Sequence, residues 1–198
     1  MTPDEALQLL RTGNHAFLSD EPLRPLLDRA SRLKLAAGQS PFAAYLSCSD
    51  SRVPPELLFG RGLGELFIVR NAGNTLDTAA MGSLEFAVSV LGVPLIVIMG
   101  HEACGAVQAA VSVVRDHAQF SGSMGKMIQS IIPAVLEAGL CPCAGLEGAV
   151  RQNVRRVVRE LREGASPILL GPQATGALMV VGAYYRLESG EVDFFDVP

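Results

Sequence analysis

The chain contains no run of eighteen apolar residues free of polar interruption, so no segment is expected to span a membrane. It has no excess of positive charge. The formal net charge is −4, which removes the electrostatic reason to expect a nucleic-acid partner. It opens Thr2-Pro-Asp-Glu5, with neither the basic patch nor the apolar stretch of a secretory signal, and a cytoplasmic location is the expectation. Four cysteines in 198 residues do not make a disulfide framework; in a reducing compartment they more often serve metal binding or catalysis. Repeats, linkers and low-complexity segments are missing too. What remains is 49% hydrophobic and 18% charged, the balance of a chain that buries a sizeable core. One α/β domain over residues 1–198 fits that length, and two would be cramped.

The first helix is well signposted. Thr2 and Glu5 form a capping box, Pro3 takes the first helical position, and Ala6, Leu10, Gly13 and Phe17 share one face. That face needs a partner, and so early in the chain another subunit is a candidate. Residues 19–25, broken by Pro22 and Pro25, read as a loop. A second helix is expected over Leu26–Ala37, ending at Gly38.

Then the pattern changes. Phe42–Ser47, Leu66–Arg70, Leu95–Met99 and Leu178–Tyr185 are short apolar runs bounded by Gly or Pro. They read as strands buried on both faces, hence a parallel sheet. Helical stretches at Thr78–Leu91, Gly105–His117, Ser123–Ala138 and Leu146–Glu163 lie between them, which predicts a three-layer α/β fold. Glu191–Asp196 adds a short C-terminal edge strand. On the helix 146–163, Val150, Val154, Val157, Val158 and Leu161 make an apolar stripe opposite Arg151, Arg155, Arg156, Arg159 and Arg162. Glu147, Glu160 and Glu163 interleave with those arginines, so a solvated or interface face is a better reading than a nucleic-acid groove.

In open α/β sheets, ligands gather at the C-terminal ends of strands. The first strand runs straight into Cys48-Ser-Asp50-Ser-Arg52, and the third into Gly100-His101-Glu-Ala-Cys104-Gly105. Side by side, these strands would bring two thiolates and one imidazole together, the Cys₂His set of a catalytic zinc with an open fourth position. His101 and Cys104 are three apart, so one tight turn can aim both at a single point. Gly100 and Gly105 flank them where the backbone must bend or approach closely. Each piece alone would be an ordinary buried His or Cys. Asp50 and Arg52 in the same turn change that, because a buried Asp–Arg couple at a strand end has to pair or work.

Two thiolates cancel the formal charge of Zn²⁺, so such a metal acidifies its water less than a three-histidine site does. Asp50 is then the acceptor that orients a zinc-bound hydroxide, and Arg52 keeps Asp50 ionised and off the metal with a bidentate grip. Val53, Leu63, Phe67, Ala72 and Phe86 are candidates for an apolar substrate wall. His15 and His117 sit away from strand ends and read as surface or capping residues. Cys141-Pro-Cys143, in a Pro-rich loop without a nearby His, reads as two free thiols rather than a second metal or redox pair.

These residues resemble the β-class carbonic anhydrases. The matching segments are Cys48–Pro54, Phe67-Ile-Val-Arg-Asn-Ala-Gly-Asn74, Gly82–Phe86, Gly100–Gly105 and Val181–Tyr185, with Gly13-Asn14 and Phe17 in the first helix. The resemblance implies reversible hydration of CO₂ to bicarbonate and a proton, on a zinc held by Cys48, His101 and Cys104 beside an Asp50–Arg52 dyad. It implies a four-stranded, mostly parallel sheet flanked by helices. It also implies a homodimer or higher homo-oligomer in which residues 1–38 form a helical arm on the partner subunit. Gln39 matches a glutamine that reaches the neighbour's substrate, Phe67 matches the aromatic of the apolar wall, and Gly105 is grouped with them as substrate-binding. The chain has no tryptophan. Tyr45 stands where a pH-gated subgroup has one to hold regulatory bicarbonate, although Val53 and Arg70 match that subgroup. An open site at neutral pH is therefore expected. Hydrolysis of CS₂ or COS on the same scaffold, and a purely structural zinc with Asp50 as fourth ligand, are the alternatives.

Overall fold

The computed structural model describes residues 1–19, 28–139, 145–164 and 166–198. Helix α1 (Pro3–Leu18) starts at the predicted capping box: the Thr2 hydroxyl accepts the Glu5 N–H and the Glu5 carboxylate accepts the Thr2 N–H. Its apolar face does not wait for another subunit. Ala6, Leu7 and Leu10 are buried with Tyr45, Phe59 and Met99 of the same chain, and Gly13 lies so close that a Cβ would sit 2.2 Å from the Phe59 carbonyl oxygen. The correction has a simple cause. One side of the sheet has little else to cover it, and α1 supplies that layer. Helix α2 (Arg29–Leu35) is shorter than expected and buries no residue. Residues 20–25 of the expected loop, Leu26 and Leu27 of the expected helix, and the Cys141–Cys143 pair lie outside the described residues.

Strands β1 (Ala43–Cys48), β2 (Leu66–Asn71), β3 (Leu95–His101) and β4 (Met179–Tyr185) are parallel, and β5 (Val192–Asp196) runs antiparallel along β4. The order is β2-β1-β3-β4-β5, the mostly parallel sheet with a C-terminal edge strand that was expected. Every residue of β1 and β3 is buried, whereas β2, at the edge, is only partly covered. From β1 the chain crosses to β2 on one side, and from β3 to β4 on the other. The β1/β3 boundary is thus the topological switch point, where a crevice opens beyond the strand ends.

Alternation along the strands builds the two faces. Tyr45, Val97, Met99, Val181 and Ala183 point to the α1 side, joined there by Leu58 of a short helix, α3 (Pro55–Leu58). Ala44, Leu46, Ile96, Ile98 and Val180 meet α4 (Thr78–Ser89) and α7 (Gly145–Arg159). At the C-terminal end, α5 (Gly105–Asp116) and α6 (Gly122–Glu137) close over Cys48 and Cys104 with Val107, Ile128, Ile131 and Val150.

The arginine side of α7 and of the π-helical turn that continues it (Glu160–Gly164) is an interface within the chain. Arg151 pairs with Glu147 at 2.8 Å and Asp193 at 2.9 Å, Arg162 pairs with Asp196 at 2.8 Å, and Arg156 and Arg159 meet Glu137. His117 is the left-handed C-cap of α5, as a capping histidine would be, and His15 is exposed. No helix among the described residues is long and apolar enough to cross a membrane.

Candidate metal centre

Two strand ends make the site. Cys48 is the last residue of β1 and His101 the last of β3, and the strands are hydrogen-bonded neighbours. After His101 the chain turns through Ala103 at φ +53°, a left-handed conformation unusual for alanine. The turn delivers Cys104 as the N-cap of α5. One ligand atom from each of Cys48, His101 and Cys104 lies within 4.8 Å of the others, and all three residues are buried. Tetrahedral zinc, with bonds of about 2.0–2.3 Å, sets its ligands roughly 3.5–3.8 Å apart. The cluster suits it.

The histidine is oriented for this task. Its Nδ1 faces the Glu102 carbonyl at 2.8 Å, while Nε2 is enclosed and has no hydrogen-bond partner among the described residues. A buried, unpartnered ring nitrogen is costly in a metal-free protein, and coordination would satisfy it. The thiols point the same way. The two lie side by side, and a hydrogen bond from Cys104 to Cys48 lowers the pKa of Cys48 and, with burial, raises that of Cys104. The Gly73 N–H, 3.4 Å from the Cys48 sulfur, adds to the first effect. A divalent cation bound between them would favour the thiolate form of both.

Asp50 and Arg52 stand beside this set. Arg52 Nε donates to Oδ1 at 2.9 Å and Nη2 to Oδ2 at 2.7 Å, with the Arg52 N–H adding 3.0 Å to Oδ1. The guanidinium holds the Asp50 carboxyl far below the usual carboxylate range. Asp50 Oδ2 is 4.0 Å from His101 Nε2, so the carboxylate adjoins the donor set while its charge is committed to Arg52.

Several supports were not visible in the sequence. Arg70 donates to the Cys48 carbonyl at 2.9 Å and to the Asp50 carbonyl at 2.6 Å, bracing the ligand turn from β2. Asn153 on α7 holds the Gly73 carbonyl at 2.9 Å. The Arg70-Asn-Ala-Gly-Asn74 stretch was the signal available, though only as part of a resemblance. Gly100 is required, since a Cβ there would meet Val150 and Val154 at 2.6 and 2.9 Å. Gly105 is exposed and faces open space, with no close approach to explain it.

The apolar wall is not gathered in one chain. Val53 is buried on the α1 side of the sheet. Leu63 and the exposed Gln39 line a separate cavity of about 550 Å³ with Leu35 and Gly64. Phe67 pairs in register with Ala44, on the Cys48 face but four residues short of it, roughly 13 Å along the strand. Its ring lies 6.2 Å from that of the partly exposed Phe86.

The comparisons agree with this geometry. Residues 43–192 match the carbonic anhydrase family model. Carbonic anhydrase 2 of Mycobacterium tuberculosis is 38% identical over 188 residues, covering 95% of this chain and 90% of its own. The β-carbonic anhydrase of Coccomyxa, solved with acetazolamide, superposes with a TM-score of 0.72 at 29% identity over 85% of this chain and 78% of that one. A tetrameric β-carbonic anhydrase of Sordaria macrospora shares the fold, with a TM-score of 0.75 at 24% identity over 96% and 97% of the two chains. With its Cys–His–Cys cluster at the switch point of the matching fold, the chain belongs to the carbonic anhydrase family, in its β class.

Proposed function

We propose that the protein catalyses the reversible hydration of CO₂ to bicarbonate and a proton, with zinc held by Cys48, His101 and Cys104. The observation that carries this is the unpartnered Nε2 of His101, buried between two thiols and 4.0 Å from a carboxylate that Arg52 has taken in hand. Zinc bound there supplies Lewis acidity, which makes a water nucleophilic near neutral pH. The chain's own residues supply the orientation. Ionised Asp50 can only accept hydrogen bonds, so it fixes the proton, and hence the lone pairs, of a water next to it. Arg52 keeps both Asp50 oxygens occupied and the carboxylate away from the metal, which favours an open site over a purely structural one. Arg70 holds the turn that carries both Cys48 and Asp50.

Gln39 and Phe67 are assigned to a site completed by a second copy of the chain, with Gly105 lining it beside Cys104. Gln39 follows a helix with no fully buried residue in its own protomer, which supports a homodimer or larger assembly with residues 1–38 partly on the partner. The whole of residues 1–198 forms one functional unit in this reading. Reduced thiols at the centre suit the cytoplasm, because oxidation would remove the metal's ligands.

Stopped-flow CO₂ hydration with a pH indicator, run beside sulfide release from CS₂ and COS, is the test. Proton release that depends on zinc, with negligible sulfide production, is expected. Sulfide release exceeding CO₂ hydration would reassign the substrate, and zinc-replete protein inert in every assay would leave a structural metal.

A further inference from the structure

We propose that Glu102 is a positioning residue for the metal centre: its carbonyl sets the orientation of the His101 ring, and its carboxylate fixes that carbonyl to the corner after β4. The inference rests on the reading of His101 as a zinc ligand. A carbonyl only accepts, so at 2.8 Å from Nδ1 it requires the proton on Nδ1 and leaves Nε2 free to coordinate. The precision of that arrangement depends on where the carbonyl is, and the turn carrying it is short. Ala103, one residue on, is already in the left-handed region.

Glu102 has two ties of its own. Its N–H donates to the Tyr185 carbonyl at 2.8 Å, carrying the β3–β4 pairing one residue past His101. Its side chain then crosses to the corner, where Oε2 accepts the N–H groups of Leu187 at 2.8 Å and Glu188 at 3.4 Å. The corner is itself closed by Arg186 N–H to the Glu191 carbonyl and Gly190 N–H to the Arg186 carbonyl, each 2.9 Å. It is anchored to α1 by the buried Asn14 amide, which donates to the Gly190 carbonyl and accepts the Val192 N–H, both at 2.9 Å. A continuous set of hydrogen bonds therefore runs from the N-terminal helix through Glu102 to the imidazole. Residue 102 is half-buried, and its side-chain hydrogen bonds go to the corner, so it acts on the imidazole through the position of its own carbonyl.

The experiment compares zinc-loaded wild type with Glu102→Ala, Glu102→Gln and Arg162→Ala. It follows the rate of zinc loss to a chelator, the visible spectrum of each protein loaded with Co²⁺, and the Tm. Glu102→Ala keeps the carbonyl but frees it to move, so zinc loss should quicken by about 10-fold, the lower end of the cost of disturbing an outer-shell partner, and the Co²⁺ bands should shift. Glu102→Gln keeps an acceptor oxygen and should stay within a few-fold of wild type. Arg162→Ala removes bonds to the Val180 carbonyl and Asp196 at the opposite end of β4; it should lower Tm and leave zinc retention unchanged. Wild-type retention in Glu102→Ala, or equal zinc loss in Arg162→Ala, would overturn the proposal. Should Glu102→Ala not fold, the ¹⁵N spectrum of zinc-loaded wild type still decides: a proton on His101 Nδ1 is expected, and one on Nε2 refutes it. Wild type that binds no zinc at all would instead remove the metal reading, and this inference with it.

Discussion

Arg52 grips Asp50 at both carboxylate oxygens, at 2.9 and 2.7 Å, although the guanidinium is half exposed and the carboxylate mostly covered. The asymmetry matters. Exposed ion pairs contribute little to stability, so under the proposed function the value of this one would lie in what it prevents: a free carboxylate beside the Cys–His–Cys cluster.

Arg52→Ala should therefore bind zinc normally and lose CO₂ hydration by about 10–100-fold, the range for groups that orient a metal centre. Without the guanidinium, Asp50 becomes an anionic ligand close enough to coordinate. Arg52→Lys should recover only part of the activity, because a point charge cannot occupy both oxygens. Full turnover in Arg52→Ala, with normal zinc content, would reduce Arg52 to a structural partner.

Removing either thiolate tests the ligand set directly. Cys48→Ser and Cys104→Ser should each fall well below one zinc per chain by elemental analysis, since an open three-ligand site has no spare donor. Full zinc in both purified variants would refute the assignment.

The ligand set was legible in the sequence because two strands, each an uninterrupted apolar run, stop at polar clusters. β1 and β3 are buried on both faces, and such strands announce themselves. Less legible were elements that prolines conceal. Pro55 opens α3 and Pro167 opens a further short helix, α8 (Pro167–Ala174), at first-turn positions that tolerate proline, and no helix was expected at either place. Another subunit was a candidate for covering the α1 face because amphipathicity says that a face is buried, not against what. Arg70, Gly73, Asn153 and Glu102 make hydrogen bonds around the centre that span 20 to 86 residues. No spacing rule encodes such contacts.

Two glycines should separate backbone from side-chain crowding. Gly13→Ala would press on the Phe59 carbonyl, which cannot move without shifting α1 off the sheet, so a loss of about 1–3 kcal/mol in chemical denaturation is expected. Gly100→Ala meets only methyl groups of Val150 and Val154. It should be rescued in part by Val154→Ala, a coupling that a double-mutant cycle reads out. Strict additivity would show that the crowding lies elsewhere.

The network joining α7 to the corner after β4 should titrate. Hydrogen bonds from Arg151, and then the charges of Arg151 and Arg186, hold the Glu147 carboxyl below its ordinary value. A depressed carboxylate stabilises the fold above its unfolded pKa of about 4.3 and loses that contribution as pH falls through the folded value. Glu147→Gln should lower Tm by about 2–4 °C at pH 7, as expected for roughly 1 kcal/mol in a chain of this size. The gap should close toward pH 3. A gap independent of pH would mean that packing, not charge, carries the effect.

Tyr45 gives the last prediction, because its ring is wholly buried and its hydroxyl has no hydrogen-bond partner among the described residues. The ring packs 5.5 Å from Phe59 beneath α1, and burial pushes the phenol pKa well up. An unsatisfied buried hydroxyl carries a desolvation penalty of about 1–3 kcal/mol. Tyr45→Phe removes the polar atom and keeps the ring, so it should raise Tm by a few degrees and leave zinc content unchanged. Tyr45→Trp must fit a larger ring into a filled space and should cost about 1–3 kcal/mol. The same pair tests the gating question. An enclosed hydroxyl cannot hold a regulatory bicarbonate, so the pH profile of Tyr45→Phe, with and without added bicarbonate, should overlay that of wild type. A destabilised Tyr45→Phe would point to a buried water on the hydroxyl. A changed bicarbonate response would show that Tyr45 takes part in control of the metal site after all.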